Sequence, residues 1–282
     1  MYQNFRWTTV GEQRNFLLRL YEPLQPYIFL ELARELGSDI FIDVGANIGA
    51  YSIFLSSLDS VRKIYSFEAA SETFNELKRN VELNDSHHKI APFNTAISDH
   101  EGKVRFGIVA DFSGANSVVD TSIHSTPQFK RESVVDCVPL DSAVPERSRN
   151  MCVKIDVEGH EKAVLDGAQK LLTNNVAFIQ LENYSRQDLS VSNTLKGYGY
   201  VELFSIGPDV YFTNRPQILS AEAIISVFER AIGGLIKSNL ETLFTPTDPP
   251  IRVKLFWGTV LEFSGTPARI ARGLRKKFVA TQ

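Results

Sequence analysis

Residues 41–51 read FIDVGANIGAY, and this stretch decides the fold of the chain. An apolar segment, Ile40 to Val44, runs into a turn that contains Gly45 and Gly49, and a helical pattern follows. Glycine lets a backbone turn tightly and approach a ligand, and the next helix N-terminus offers free N–H groups. A second strand ends at Glu68, close to the roughly 20-residue spacing between a glycine turn and a ribose-binding acid. The pattern predicts a nucleotide-type ligand at this sheet edge.

A second motif, KIDVEGHE at residues 154–161, follows the apolar residues 151–153. It predicts a buried strand that runs into a loop carrying several acids and one lysine. Charge packed at a strand end is costly unless it is paired or binds something. The carboxyl ends of parallel strands are also where α/β proteins bind ligands. The motif alone leaves a structural ion-pair cluster and a ligand site both open, and the glycine motif favours the ligand site.

Asp43 and the spacing of the glycines favour a cationic ligand over a dinucleotide. The order Gly45-x-Asn47-x-Gly49 departs from the dinucleotide fingerprint G-x-G-x-x-G. A carboxylate before the turn suits a ligand with an ammonium and a sulfonium. The pattern D-x-G-x-N-x-G resembles the first motif of S-adenosylmethionine-dependent methyltransferases. Together with FEA at 67–69, AISD at 96–99 and the second motif, the chain resembles the FkbM-type methyltransferase family from Ile40 to Asn183.

The resemblance implies an α/β fold: a Rossmann-like class I methyltransferase sheet with helices on both faces and a C-terminal antiparallel strand pair. It also implies S-adenosylmethionine as cofactor. Gly45, Asn47 and Gly49 would close on its amino-acid end, and Asp43 would attract its ammonium. Glu68 would accept hydrogen bonds from the ribose hydroxyls. The remaining implied contacts, near the adenine, are Ser98 and Asp99.

The acids of the second motif are candidates for the chemistry of methyl transfer. The protein has to align the acceptor for in-line displacement and help to remove its proton. Asp156, nearest the strand end, is the first choice for the base, and Glu158 and His160 are alternatives. Histidine has the best intrinsic pKa for this work. Lys154 is expected to neutralise the cluster and hold its geometry.

A metal-assisted version of the reaction is also open. Asp156, Glu182 and Asn183 offer the hard oxygen ligands that Mg²⁺ prefers. The alternative is that Glu182 pairs with Lys154 and no ion binds.

Composition narrows the classes of function. The 282 residues carry a net charge of −3 and a pI near 6.0, which gives no support for nucleic-acid binding. Cys137 and Cys152 lie in apolar runs and are expected to be buried thiols in a reducing compartment. No run reaches the ~18 apolar residues of a membrane span. A soluble cytoplasmic protein is expected.

The chain divides into an N-terminal helical lid or added layer at 1–36, a methyltransferase core at 37–214, and a C-terminal helical extension with a basic end at 215–282. Strand and helix alternate in the core. The predicted strands are 40–44, 63–67, 90–96, 151–155 and 176–181, and the predicted helices are 50–57, 71–83 and 161–173. A hairpin-like insertion at 102–109 and 133–140 flanks a polar loop, 111–128, expected to act as a lid. A final antiparallel pair is predicted at 200–204 and 210–213.

The C-terminal extension suggests contacts with partners. The apolar stripe at 219–236 is expected to be core or a homodimer surface. The basic segment Arg269–Lys277 is either a solvated helix or a dock for an anionic membrane or partner.

Three functions are consistent with these features of the sequence. The first is an S-adenosylmethionine-dependent O-methyltransferase acting on a sugar, glycan or natural-product hydroxyl. The second is a non-catalytic glycan- or partner-binding module, and the third a nicotinamide-dependent oxidoreductase, disfavoured by Asp43 and the missing fingerprint.

Overall fold

A computed structural model describes residues 24–109, 116–119, 129–183, 189–237, 251–255 and 260–263 of the chain. The helices in chain order are α1 (Gln25–Leu36), α2 (Ala50–Ser56), α3 (Ser71–Leu83), α4 (Leu140–Ala143), α5 (Glu161–Asp166), α6 (Gln169–Thr173), α7 (Ser190–Gly197) and α8 (Ala221–Lys237). The strands are β1 (Ile40–Val44), β2 (Lys63–Phe67), β3 (Ile90–Phe93), β4 (Ala96–Ile97), β5 (Gly102–Ile108), β6 (Ser117–Val118), β7 (Arg131–Val138), β8 (Asn150–Ile155), β9 (Val176–Glu182), β10 (Val201–Ile206), β11 (Asp209–Thr213), β12 (Ile251–Leu255) and β13 (Val260–Phe263).

Nine strands of the described residues form the central sheet, in the order β13-β12-β10-β11-β9-β8-β1-β2-β3. The half that contains β9, β8, β1, β2 and β3 is parallel, and β11 and β10 continue it antiparallel. The Rossmann-like sheet with an antiparallel strand pair is therefore confirmed. The parallel strands place the ends of β1, β2, β8 and β9 along one edge.

Helices cover both faces of the sheet, as predicted. On one face Phe41, Cys152 and Phe178 are buried beneath α1, α2 and α8. Phe29 of α1 lies at the centre of this layer, where its ring packs edge-on against Phe41 at 5.2 Å and Phe178 at 4.7 Å. Helix α1 is thus part of the core. On the other face, aliphatic side chains of β1, β8 and β9 pack against α5, α6 and α7.

The predicted insertion forms a separate sheet of four strands in the order β4-β7-β5-β6. The long pairing of β5 with β7 is antiparallel, as the hairpin prediction requires. The single strand predicted at 90–96 is wrong, because β3 ends at Phe93 and Ala96–Ile97 pairs instead with β7. Within the predicted lid, Ser117 and Val118 pair with β5, and 110–115 and 120–128 lie outside the described residues.

The helix predicted at 161–173 is interrupted. It is divided into α5 and α6 around Gly167. A Cβ atom at Gly167 would lie 2.0 Å from the carbonyl oxygen of Ser98, so the chain leaving β4 packs directly on the break. The cause is a contact between segments about 70 residues apart, which helical periodicity cannot reveal.

The C-terminal extension, which the sequence predicts to be helical, also contains strands. Helix α8 is present, but β12 and β13 follow it, and β12 pairs with β10 at the edge of the central sheet. The strand pair β10–β11 is therefore not the last of the chain. The segment Arg269–Lys277 lies outside the described residues. No helix among the described residues is long and apolar enough to cross a membrane.

Candidate active site

The glycine turn after β1 has the left-handed backbone that its sequence predicts. Gly45, Asn47 and Gly49 have φ values of 80°, 50° and 86°. The N–H groups of Gly45 and Ala46 both donate to the carbonyl of Phe67, which ties the turn to the end of β2. The side chain of Asn47 accepts a hydrogen bond from the N–H of Ile48. The turn is thereby fixed by its own chain before any ligand binds.

Gly45 has a structural role in addition to the cofactor contact that the resemblance implies. The sequence predicts only that this glycine lets the backbone turn tightly and approach a ligand. A Cβ atom at Gly45 would in fact lie 1.8 Å from the carbonyl oxygen of Asp156. The glycine is required because the loop after β8 passes directly against the turn after β1, and this contact joins the two motifs that the sequence had identified separately.

Glu68 has a second role that the sequence did not indicate. Its Oε2 accepts a hydrogen bond from the N–H of Asn47 at 2.9 Å, and its Oε1 accepts one from the N–H of Ala70 at 2.8 Å. The carboxyl group thus links the turn after β1 to the start of α3. Burial raises its pKa to about 7, against the lowering effect of these two hydrogen bonds.

A row of polar side chains crosses the face of the sheet beneath α2. Ser66, Asp43, Lys154, Gln180 and Tyr211 are neighbours in register on five adjacent strands. All of them are buried. Burial raises the pKa of Asp43 to about 6, although Lys154 and the hydroxyl of Ser52 oppose the shift. The amide oxygen Oε1 of Gln180 has no hydrogen-bond partner among the described residues.

Lys154 is the cationic group of this row and is only 4% exposed. Its Nζ pairs with Oδ2 of Asp156 at 2.6 Å and lies 4.9 Å from the centre of the Tyr51 ring. Gln180 donates from Nε2 to the Tyr51 hydroxyl at 3.3 Å and to Oδ1 of Asp209 at 2.8 Å. Asp209, which the sequence did not single out, therefore joins the network from β11.

The structure brings together most of the predicted catalytic and metal residues. Ligand oxygens of Asp156, Glu158 and Glu182 lie within 4.8 Å of one another. Strand β8 ends at Ile155, and Glu158, with a φ of 53°, lies in the loop beyond the strand. This loop places Glu158 in the cluster. Burial, followed by the charge of Asp156, raises the pKa of Glu158 to about 7.

Asn183 and His160 each have a contact of their own near this cluster. The N–H of Asn183 donates to the carbonyl of Pro208, beside the hairpin that begins β11. His160 precedes α5, and its Nε2 lies 3.0 Å from the buried hydroxyl of Ser98. The side chains of Ser98 and Asp99 are themselves bonded at 3.2 Å. Ser98 and Asp99 thus follow the second sheet, and Ser98 contacts the loop of the second motif.

Negative charge dominates this end of the sheet. The carboxyl groups that gather there among the described residues come from Asp43, Glu68, Asp156, Glu158, Glu182 and Asp209. Lys154 attracts Asp43, Glu158 and Asp209 in addition to its pairing with Asp156. Burial raises the pKa values of Asp43, Glu68 and Glu158 even though Lys154 opposes the shift at Asp43 and Glu158, so ionising these carboxyl groups is costly.

Fold and site together place an acid-rich cluster and a glycine turn at the carboxyl edge of a parallel sheet, which is where α/β proteins bind nucleotide-like ligands. Residues 43–202 match the model of the methyltransferase FkbM domain, and the chain belongs to this family. It is 29% identical over 161 residues to the hexuronic acid methyltransferase AglP of Haloferax volcanii. That match covers 57% of this chain and 62% of AglP, less than two thirds of the relative's length.

Solved structures of methyltransferases match the chain at low sequence identity. The methyltransferase FkbM from Methylobacillus flagellatus KT matches 63% of this chain and 44% of its own, with 15% identity and a TM-score of 0.44. An O-methyltransferase from Bacillus cereus, solved with SAH, matches 71% of this chain and 84% of its own, with 12% identity and a TM-score of 0.42.

Proposed function

We propose that the protein is an S-adenosylmethionine-dependent O-methyltransferase that acts on a hydroxyl of a sugar, glycan or natural-product scaffold. The observation that carries the proposal is the buried Asp43 beside the glycine turn, within an acid-rich strand edge of an FkbM-family chain. S-adenosylmethionine brings an ammonium and a sulfonium to such an edge. Its positive charge would favour the ionised form of carboxyl groups that burial otherwise opposes.

In this proposal the chain's own residues supply alignment and proton removal. Asp156 lies at the exit of β8, held by Lys154, and is the first candidate for taking the acceptor's proton. Glu158 is the alternative base, because a carboxyl group with a pKa of about 7 is suited to proton transfer near neutral pH. The name of AglP, a hexuronic acid methyltransferase, supports a sugar-containing acceptor.

The proposal is tested by incubating the protein with methyl-labelled S-adenosylmethionine and a panel of sugars, glycans and polyol natural products. Mass spectrometry should show a methyl group on a hydroxyl oxygen. Calorimetry with S-adenosylmethionine and NADH separates the competing functions. Binding of NADH alone would support an oxidoreductase, and tight binding of S-adenosylmethionine without turnover on any acceptor would support a non-catalytic module.

Mg²⁺ remains an addition to this proposal, and the donor set fits it. Asp156, Glu158 and Glu182 offer hard carboxylate oxygens close to one another, and Asn183, the third ligand that the sequence predicts, follows Glu182 directly. A bound ion would supply a Lewis acid for the acceptor hydroxyl. If these residues hold Mg²⁺, a chelator should reduce turnover by at least about tenfold, and added Mg²⁺ should restore it. Turnover unaffected by chelator would exclude the metal and leave a direct base.

Glu68→Ala tests the ribose contact and the structural contact together. Removal of the carboxyl group should weaken S-adenosylmethionine binding by about 2 kcal/mol, roughly 30-fold, as expected for hydrogen bonds to a charged group. Because the N–H groups of Asn47 and Ala70 also lose their acceptor, the melting temperature should fall as well. Calorimetry and thermal unfolding measure the two effects. Unchanged affinity in Glu68→Ala would place the ribose elsewhere.

The raised carboxyl pKa values predict that a rise in pH lowers the stability of the free protein but increases the stabilisation that the cofactor provides. The pKa values of Asp43, Glu68 and Glu158, about 6, 7 and 7, exceed their ordinary values of 3.8, 4.5 and 4.5. Between about pH 4 and pH 7 the folded state therefore binds more protons than the unfolded state, and these groups lower the free energy of unfolding as pH rises.

S-adenosylmethionine should reverse this loss, because its cationic groups favour the carboxylates. The rise in melting temperature produced by saturating cofactor should be larger at pH 7.5 than at pH 5.0. The upper pH of the experiment lies below the ordinary pKa of an α-amino group, so that the cofactor keeps its ammonium group. An equal or smaller rise at pH 7.5 would contradict an anionic cofactor site.

A further inference from the structure

Asp43 is held by a chain of two buried hydroxyl groups. Its Oδ2 accepts a hydrogen bond from Oγ of Ser52 at 2.5 Å, and Ser52 Oγ lies 2.6 Å from Oγ of Ser66. Asp43 is 1% exposed, and both serines are fully buried. The three residues come from β1, α2 and β2, so that a side chain from each of three packed elements meets at one point.

The number of hydroxyl protons decides which group donates in each of these two hydrogen bonds. A serine hydroxyl has one proton to donate. Ser52 gives its proton to Asp43, so the proton between the serines has to come from Ser66. The order of donation is therefore Ser66 to Ser52 to Asp43. Buried hydroxyls are costly without such bonds. An apolar interior could have used alanine at both positions, so the bonds to the carboxylate are what the hydroxyls contribute.

The charges around Asp43 do not fix its orientation in the same way. Lys154 is its neighbour in register, but Nζ of Lys154 pairs with Asp156 at 2.6 Å. The other titratable groups that act on Asp43 or feel its charge are Asp156 beyond β8, Glu68 beyond β2 and the buried thiol of Cys152, and none of them is a cation. Among the described contacts, the directed hydrogen bonds to the Asp43 side chain come from the hydroxyl and the backbone N–H of Ser52, and only the first of them is lost in Ser52→Ala.

We propose that Ser66 and Ser52 are positioning residues that hold the Asp43 carboxylate to receive the ammonium group of the cofactor's amino-acid end. The inference rests on the proposed function and adds two residues that neither motif contains. It commits Asp43 to the ammonium rather than to the sulfonium. S-adenosylhomocysteine keeps the ammonium but lacks the sulfonium charge, and methylthioadenosine lacks the whole amino-acid end, so that the three compounds separate these contributions.

The experiment measures the affinity of the full-length protein for the three compounds by calorimetry. In Ser52→Ala, affinity for S-adenosylmethionine and S-adenosylhomocysteine should fall about tenfold, the usual scale for a lost hydrogen bond to a charged group. Affinity for methylthioadenosine should stay unchanged, which also shows that the site is folded. Ser66→Ala should show the same selectivity with a smaller loss, since Ser52 can still donate. If Ser52→Ala does not fold, the Ser66→Ala variant serves as the test instead.

Two further variants distinguish positioning from packing. Ser56→Ala is the matched control, because Ser56 lies on the same helix but donates to the carbonyl of Ile53. It should bind all three compounds normally. In Asp43→Asn, the added Ser52→Ala change should have little further effect, because the carboxylate that Ser52 orients is already gone.

Several results would overturn the inference. Equal losses for all three compounds in Ser52→Ala would show a packing role, and no loss would show that the hydroxyl is not needed. A loss for S-adenosylmethionine but not for S-adenosylhomocysteine would assign Asp43 to the sulfonium. Wild-type protein that binds the cofactor no more tightly than methylthioadenosine would show that the amino-acid end is not held. Wild-type protein that binds none of the compounds would refute the proposed function itself.

Discussion

Asp156→Asn should lower turnover by about 10²-fold or more while cofactor affinity and fold are kept, the scale expected when general-base help is lost. Asp156 lies where β8 ends, beside Glu158 and Glu182, and its carboxylate is held by Lys154. An amide keeps the shape of this side chain but cannot accept the acceptor's proton. The same loss is expected if Asp156 instead holds a metal ion, and the chelator experiment separates the two cases.

The competing explanation is that Asp156 only neutralises Lys154. Removing one partner of a buried ion pair ordinarily costs about 3–5 kcal/mol of stability. Here the cost should be smaller, because Asp43 and Asp209 also attract Lys154. Melting temperature, cofactor affinity and turnover of the same variant therefore decide between the roles. A large fall in melting temperature with near-normal specific activity of the folded fraction would refute a catalytic role.

A surface ion pair provides the matched control. Asp166 pairs with Lys162 on the exposed side of α5, close to the same motif. Asp166→Asn changes the same chemical group in an exposed pair, so it should alter turnover and stability little. If Asp156→Asn is as harmless as this control, Glu158→Gln is the next variant to measure, since Glu158 is the alternative base.

The alternation of strands and helices was predictable because local patterns determine it. The glycine turn, the strand of the second motif and the hairpin insertion all appear where their patterns placed them. The positions of Asp43, Lys154 and Asp156 at one edge of the sheet followed from one rule: the carboxyl ends of parallel strands share an edge. Nothing in the order of residues showed that Ser52, Ser66 and Gln180 extend this cluster, because they meet it only through strand register and helix packing.

The incorrect predictions share a different cause. Helix 161–173 is divided because Gly167 packs on the carbonyl of Ser98, and the strand predicted at 90–96 is split because Ala96 pairs with β7. Both effects depend on contacts between distant segments. The strands β12 and β13 likewise depend on an open edge at β10. The sequence offered no local signal for any of these pairings, and intrinsic strand preference is weak beside such context.

Gly45→Ala should destabilise the folded protein by several kcal/mol and abolish cofactor binding. The residue has a φ of 80°, which costs a side chain about 1–2 kcal/mol. The added Cβ would also lie 1.8 Å from the carbonyl oxygen of Asp156. Backbone has to move to relieve such a contact, and overpacking of this kind costs about 1–3 kcal/mol more. The movement would displace Asp156 and the turn together, so cofactor affinity and turnover should fall along with stability.

The variant Gly199→Ala separates the free-energy cost of the Cβ contact from the free-energy cost of a side chain on left-handed backbone. Gly199 has a φ of 86°, close to that of Gly45, but an added Cβ there would meet nothing within 4 Å. Denaturant unfolding should therefore show a loss of about 1–2 kcal/mol for Gly199→Ala and a clearly larger loss for Gly45→Ala. Equal losses in the two variants, with cofactor binding kept in Gly45→Ala, would mean that the turn after β1 and the loop after β8 do not depend on each other. A larger loss for Gly45→Ala would show that Gly45 joins the turn after β1 to the loop after β8, because the two glycines have similar φ values but different surroundings for an added methyl group.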